Sequence, residues 1–317
     1  MRPALLVLCY AIAAAWLLPR PLGRLSEAGV SPRLGLTAWL VAMGSVLACA
    51  AAALGLLARA AIEGWPAFAR TVCESVTAGV CPPTVYRSAA YELGLAVTAF
   101  LGGLVMIGLT WRYGRSLRRA ISRTRAHAEA ARITGRRAGG TNAPFVLDAA
   151  VPAVYCVPGQ PPTIVVTTGA LAVLGTEQLT AVLAHERAHL AGRHHLLLAL
   201  TRGLAAVFPG VPVFARGQGE VARLAEMRAD DAAAERAGRR PLIEALLAMG
   251  TGTAVTPMMA YPATALAAAG YAVAARVERL LDPPRRASQV RCALALGSVL
   301  VLLPLLSVLV ALAVSGW

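Results

Sequence analysis

The chain has 317 residues, of which 57% are hydrophobic and 15% charged, and its mean hydropathy is positive. So apolar a composition excludes an ordinary soluble protein of this length, and it excludes a disordered one; it asks for several membrane spans. The formal net charge of +14 comes from arginine alone, since the sequence contains no lysine, a usage that suits a GC-rich bacterium.

Four uncharged runs read as transmembrane helices, because about 20 helical residues cross a hydrocarbon core of about 30 Å. They are residues 4–18, which is short for a span, 34–58, 93–111 and 292–317. The first is not a cleaved signal peptide, since it lacks a basic region beyond Arg2 and Trp16-Leu-Leu-Pro19 is no small-residue cleavage site.

Nine arginines between Arg112 and Arg137 face a single acid, Glu129. The positive-inside rule makes that segment cytoplasmic, and counting back through the spans puts Arg20, Arg24 and Arg33 inside too, with both chain ends outside. Residues 59–92, where Arg59, Arg70 and Arg87 balance Glu63, Glu74 and Glu92, then form an external loop. Arginines directly after a span hold anionic headgroups, so direct nucleic-acid binding is not expected, and His127 reads as solvated.

Of the six cysteines, Cys9, Cys49, Cys292 and Cys156 read as packing residues. Cys73 and Cys81 share the external loop, where a disulfide is one option. A soluble pattern begins at Phe145. Residues 153–157 and 163–168 are rich in strand formers and are separated by Pro158-Gly-Gln-Pro-Pro162, a strand pair with a turn. Such a pair beside a catalytic site is either purely structural or an edge that takes up an extended polypeptide.

Directly after it comes His185-Glu186-Arg-Ala-His189. On a helix, residues four apart share a face, so His185 and His189 can hold one zinc ion while Glu186 faces the same opening as general base. With 5 His and 12 Glu in the chain, chance supplies such a motif roughly 0.003 times per chain. Two histidines need a third protein ligand. Glu226-Met-Arg-Ala-Asp230 offers one, with Glu226 on the metal and Asp230 accepting a hydrogen bond from a ligating histidine. Asp231 and Glu220 are weaker candidates. His194 and His195 read as flanking residues, with a contact to substrate as the alternative. Residues 245–275, uncharged but broken by Pro257 and Pro262, read as a packed or membrane-touching part of the catalytic unit.

The stretches Ile164-Val-Val-Thr-Thr-Gly169, Ala181-Val-Leu-Ala-His-Glu-Arg-Ala-His189 and Glu226-Met-Arg-Ala-Asp230, lying between three upstream spans and one downstream, resemble the BlaR/MecR family of membrane zinc metallopeptidases. The resemblance implies ligand, base and ligand roles for His185, Glu186 and His189. It implies the third ligand of gluzincins at Glu226 and a supporting role for Asp230. Arg276-Val-Glu-Arg-Leu280 also resembles a segment near the end of such domains, which would bring Arg276 to line the site and contact substrate, a role His195 could share. The antibiotic-sensing members continue into an extracellular penicillin-binding domain, whereas this sequence stops at Trp317, so direct acylation by a β-lactam is not expected.

The fold class expected is thus mainly α, a multi-pass membrane protein with four transmembrane helices. A small α+β zincin-like domain is inserted between spans three and four: residues 1–125 form the three-span region, 126–285 the cytoplasmic zinc metallopeptidase domain and 286–317 the fourth span. The function implied is zinc-dependent proteolysis at the inner face of a bacterial cytoplasmic membrane. Its substrate would be a cytoplasmic protein, such as a penicillinase-repressor-type transcription factor. Membrane lipid is a further partner, and a homo-oligomer is left open. The alternatives are an HtpX-like quality-control protease and a membrane receptor with a vestigial zinc site.

Overall fold

The computed structural model describes residues 2–27, 31–78, 83–139, 143–157, 159, 161–251, 273–284 and 286–315. It is mostly helical. The N-terminal apolar stretch forms α1 (Arg2–Leu17) and, after a break at Leu18-Pro19, α2 (Pro19–Glu27). Proline lacks the amide that would continue the helical ladder, which is why the helix is interrupted there. Next come α3 (Pro32–Ala78) and α4 (Pro83–Thr134), with 47 and 52 residues. At 1.5 Å per residue each is about 70 to 80 Å long, more than twice the apolar thickness of a bilayer.

The described parts of the expected external loop are therefore helical. Within it Arg59 and Glu63 stand four apart and pair at 2.8 Å along one face of α3, a small addition to helix stability. Cys81 lies outside the described residues, and so does the proposed bond to Cys73; most of 245–275 lies outside them as well. Three helices are long and apolar enough to cross a membrane: Ala4–Ser26, Pro32–Trp65 and Ala90–Ser122.

After α4 the chain enters a small sheet of β1 (Arg136–Arg137), β2 (Phe145–Leu147), β3 (Val154–Val157) and β4 (Thr163–Thr167), in the order β1-β2-β4-β3. The expected strand pair is β3 and β4, antiparallel, with Tyr155 opposite Val165. The partnership of β4 with β2 is parallel, Val146 opposite Val166. Seven helices follow among the described residues: α5 (Thr168–Val173), α6 (Thr176–Ala191), α7 (His194–Val207), α8 (Pro212–Ala237), α9 (Arg239–Thr251), α10 (residues 273–281) and α11 (Arg286–Ser315). The apolar part of α11 described, Ala287–Leu302, is shorter than the three spans.

Three cores position the site. On the membrane side, Leu22 of α2 and Trp39 and Met43 of α3 pack with Phe214, Val221 and Leu224 of α8 and Leu296 of α11. These fully buried side chains interlock the front half of α8 with the apolar helices. Gly217 lets the two come together, because a Cβ there would run into Met43 and Trp39. A second core sets Val154 and Val166 of the sheet against Val182 of α6 and Ala245 of α9. A third joins Ala181 and Ala184 of α6 to Ala233 of α8, Leu242 of α9 and Leu280 of α10. Helix α6 is thus clamped between the sheet and the back half of α8.

Candidate metal centre

Helix α6 starts with the Gly175 amide donating to the Gln178 side chain at 3.0 Å and with Glu177 in its first turn, where a negative charge suits the helix dipole. Its buried residues are Ala181, Val182, Ala184, His185, Ala188 and His189, a stripe at spacings of three and four. Small alanines let α6 lie close to the sheet and α8, and the two histidines continue that stripe into the gap between them. The rings meet edge to face, 4.7 Å between centroids, with the two Nε2 atoms 3.0 Å apart.

Glu226 reaches the same point from α8. Its carboxylate lies 3.5 Å from His185 Nε2 and 3.4 Å from His189 Nε2. Ligands bound to zinc at 2.0 to 2.1 Å in a tetrahedron lie about 3.3 Å from one another. The imidazole separation is close to that edge, and each Glu226 oxygen lies near it from one of the two rings, so His185, His189 and Glu226, whose ligand atoms all fall within 4.8 Å of one another, can converge on a single ion. Three carboxylates, Glu186, Glu226 and Asp230, outnumber the one guanidinium, Arg276, an acidic surplus that suits a cation. The same field acts on the protons. Burial alone would depress His185, but Asp230 and Glu226 outweigh it and lift the imidazole to about 9. Burial would raise the Glu226 carboxyl, yet the hydrogen bonds from His185 and His189 and the charge of Arg276 hold it well below the usual carboxylate range.

Asp230 is one helical turn beyond Glu226 and 1% exposed, with Oδ1 3.0 Å from His185 Nδ1. Arg276 of α10 grips Asp230 with both arms of its guanidinium, at 2.7 and 2.6 Å, and touches Glu226 at 3.1 Å. A two-pronged hold of this kind fixes the carboxylate's plane as well as its position. Beside it, Arg279 pairs with Asp231 at 2.7 Å on the rim of the site. Glu220, the other weak candidate, points elsewhere, to Arg223 and Ser26.

Glu186 lies on the sheet side. Its Oε2 accepts a hydrogen bond from the Cys156 amide of β3, the strand at the end of the sheet, at 2.8 Å. Burial and the Glu186 charge push the Cys156 thiol far up.

Two features escaped the sequence reading. The Cys156 amide was invisible because backbone groups leave no residue signature. His194, read as flanking, is instead 1% exposed with Nδ1 2.8 Å from His189 Nδ1. The five-residue spacing from His189 belongs to no helical periodicity, so the pattern gave no signal. His195 is partly buried and makes none of these contacts.

No curated protein and no solved structure matches the chain. The model of peptidase family M48 matches residues 122–209, from the end of α4 through the sheet, the two histidines and Glu186 to the end of α7. It stops short of Glu226, Asp230 and Arg276, whose place at the site rests on the geometry. The match spans residues 122–209, and that local likeness together with the clustered His185, His189 and Glu226 points to a metallopeptidase.

Proposed function

We propose that the protein is a membrane-anchored zinc metalloendopeptidase that cuts protein substrates at the cytoplasmic face of a bacterial inner membrane. The observation that carries this reading is the convergence of His185 Nε2, His189 Nε2 and the Glu226 carboxylate within 4.8 Å of one another, with Glu186 on the same helix. A zinc ion there supplies polarisation of a peptide carbonyl and of water. Glu186 takes the proton from the attacking water as the new C–O bond forms, and passes it to the departing amine as the C–N bond breaks. The Cys156 amide holds Glu186 beside β3, the last strand of the sheet among the described residues, an edge along which an extended substrate can lie. Arg276 steadies Asp230 and Glu226 rather than reaching out to substrate. The arginine-rich end of α4 supports the cytoplasmic placement, and α11 supplies the fourth span in this reading.

The BlaR/MecR resemblance favours one dedicated cytoplasmic substrate, of the penicillinase-repressor type. The M48 match over residues 122–209 favours the second reading, an HtpX-like enzyme that clears many membrane proteins. Comparing the proteomes of wild type and Glu186→Gln separates them: one accumulating protein supports the first, a broad set the second. In purified protein Glu186→Gln keeps zinc and loses turnover by roughly 10²- to 10⁴-fold, the usual worth of a positioned base. Full turnover in that variant would end the enzymatic reading and leave a receptor with a vestigial site.

A further inference from the structure

Between α6 and α7 the backbone makes a costly turn. Arg193 sits in the left-handed region, φ 49° and ψ 36°, the one non-glycine residue there among the described residues. Its neighbour Gly192 has an ordinary φ of −77°, yet it has no room for a side chain, because a Cβ would run into Nε2 and Cδ2 of His194. The turn and the missing Cβ together fold the His194 ring back against His189, at right angles (87°) with 4.8 Å between centroids. The outcome is a fully buried imidazole whose Nε2 has no hydrogen-bond partner among the described residues. A position used only for packing would hold a phenylalanine or leucine, which leave no polar atom stranded.

The chemistry of the pair explains the imidazole. His189 directs Nε2 toward Glu226 and His185, so the proton of its neutral ring lies on Nδ1 and needs an acceptor. His194 Nδ1, 2.8 Å away, is that acceptor, with its own proton on Nε2. We propose that His194 is a positioning residue for the metal centre: it sets the tautomer and tilt of His189. This rests on the zinc-site reading above.

The test uses the full chain in detergent and measures zinc affinity by chelator competition. His194→Phe fills the space but removes the acceptor, and it weakens zinc binding by roughly 10- to 100-fold, the usual effect of losing a histidine's outer partner. His194→Asn places Oδ1 near the position of Nδ1 and restores most of that affinity. In cobalt-substituted protein the visible spectrum shifts in His194→Phe and returns toward wild type in His194→Asn, a readout that loss of packing alone does not move. Gly192→Ala keeps every histidine but displaces the His194 ring, so it weakens zinc by an independent route and serves if His194→Phe does not fold. Wild-type affinity in His194→Phe or Gly192→Ala overturns the proposal, and so does a folded His194→Asn no better than His194→Phe. Wild type without zinc, or His185→Ala with it, sinks the metal-site reading instead.

Discussion

The two histidines of α6 are supported in opposite ways. Behind His185 stands a charged network assembled from distant parts of the chain, Asp230 of α8 and Arg276 of α10, with three ion-pair contacts of 2.6 to 3.0 Å. Behind His189 stands one imidazole from the next turn of chain. The difference teaches how a site can gain directional hold without gaining charge. A second carboxylate behind His189 would add another negative charge to an already acidic pocket. His194, neutral because burial foremost and then His189 push its pKa down to about 4, adds none.

The largest effect expected is one that makes the two arms equal. His185→Ala and His189→Ala should each remove zinc and turnover altogether, as metal analysis and a cleavage assay would show; an arm that keeps its metal when its imidazole is gone would break the symmetry of the ligand set. The next effect separates the arms. Asp230→Ala leaves the guanidinium of Arg276, only 16% exposed, without its main partner. Orphaning one member of a buried pair costs about 3–5 kcal/mol. Thermal melting of the apo-protein should therefore fall well below that of His194→Phe, which strands no charge. Equal melting of the two variants would show that the network behind His185 is no more integral than the single ring behind His189. The smallest effect marks the border of the network. Asp231→Asn breaks the pair with Arg279, whose carboxylate is 38% exposed, and should cost at most about 1 kcal/mol with zinc affinity unchanged. A loss of zinc there would extend the site one residue further than its geometry does.

Much of this centre was legible without coordinates because helices translate spacing into direction. Four residues is one turn, so His185 and His189, and likewise Glu226 and Asp230, were bound to share faces once their segments were helical. The strand pair at β3 and β4 was legible from its β-branched residues and the Pro-Gly turn. The parallel addition of β2 and the antiparallel β1 were not, since two- and three-residue strands carry no period. The helical character of residues 59–78 was open to view in the Arg59/Glu63 spacing but was outweighed by the balance of charges, which is a property of surfaces rather than of loops.

The order of residues was enough to set the chemistry on offer: an apolar chain built for a bilayer, two imidazoles and a base on one helix, and an acidic pair on another. Spacing along a helix is local, and local geometry survives in a string of letters. What joined these parts came from contacts between residues far apart in the chain. The packing of α8 against α3 and α6, the Arg276 grip on Asp230, the Cys156 amide on Glu186 and the backward fold of His194 each depend on where the backbone returns in space, and periodicity does not encode that.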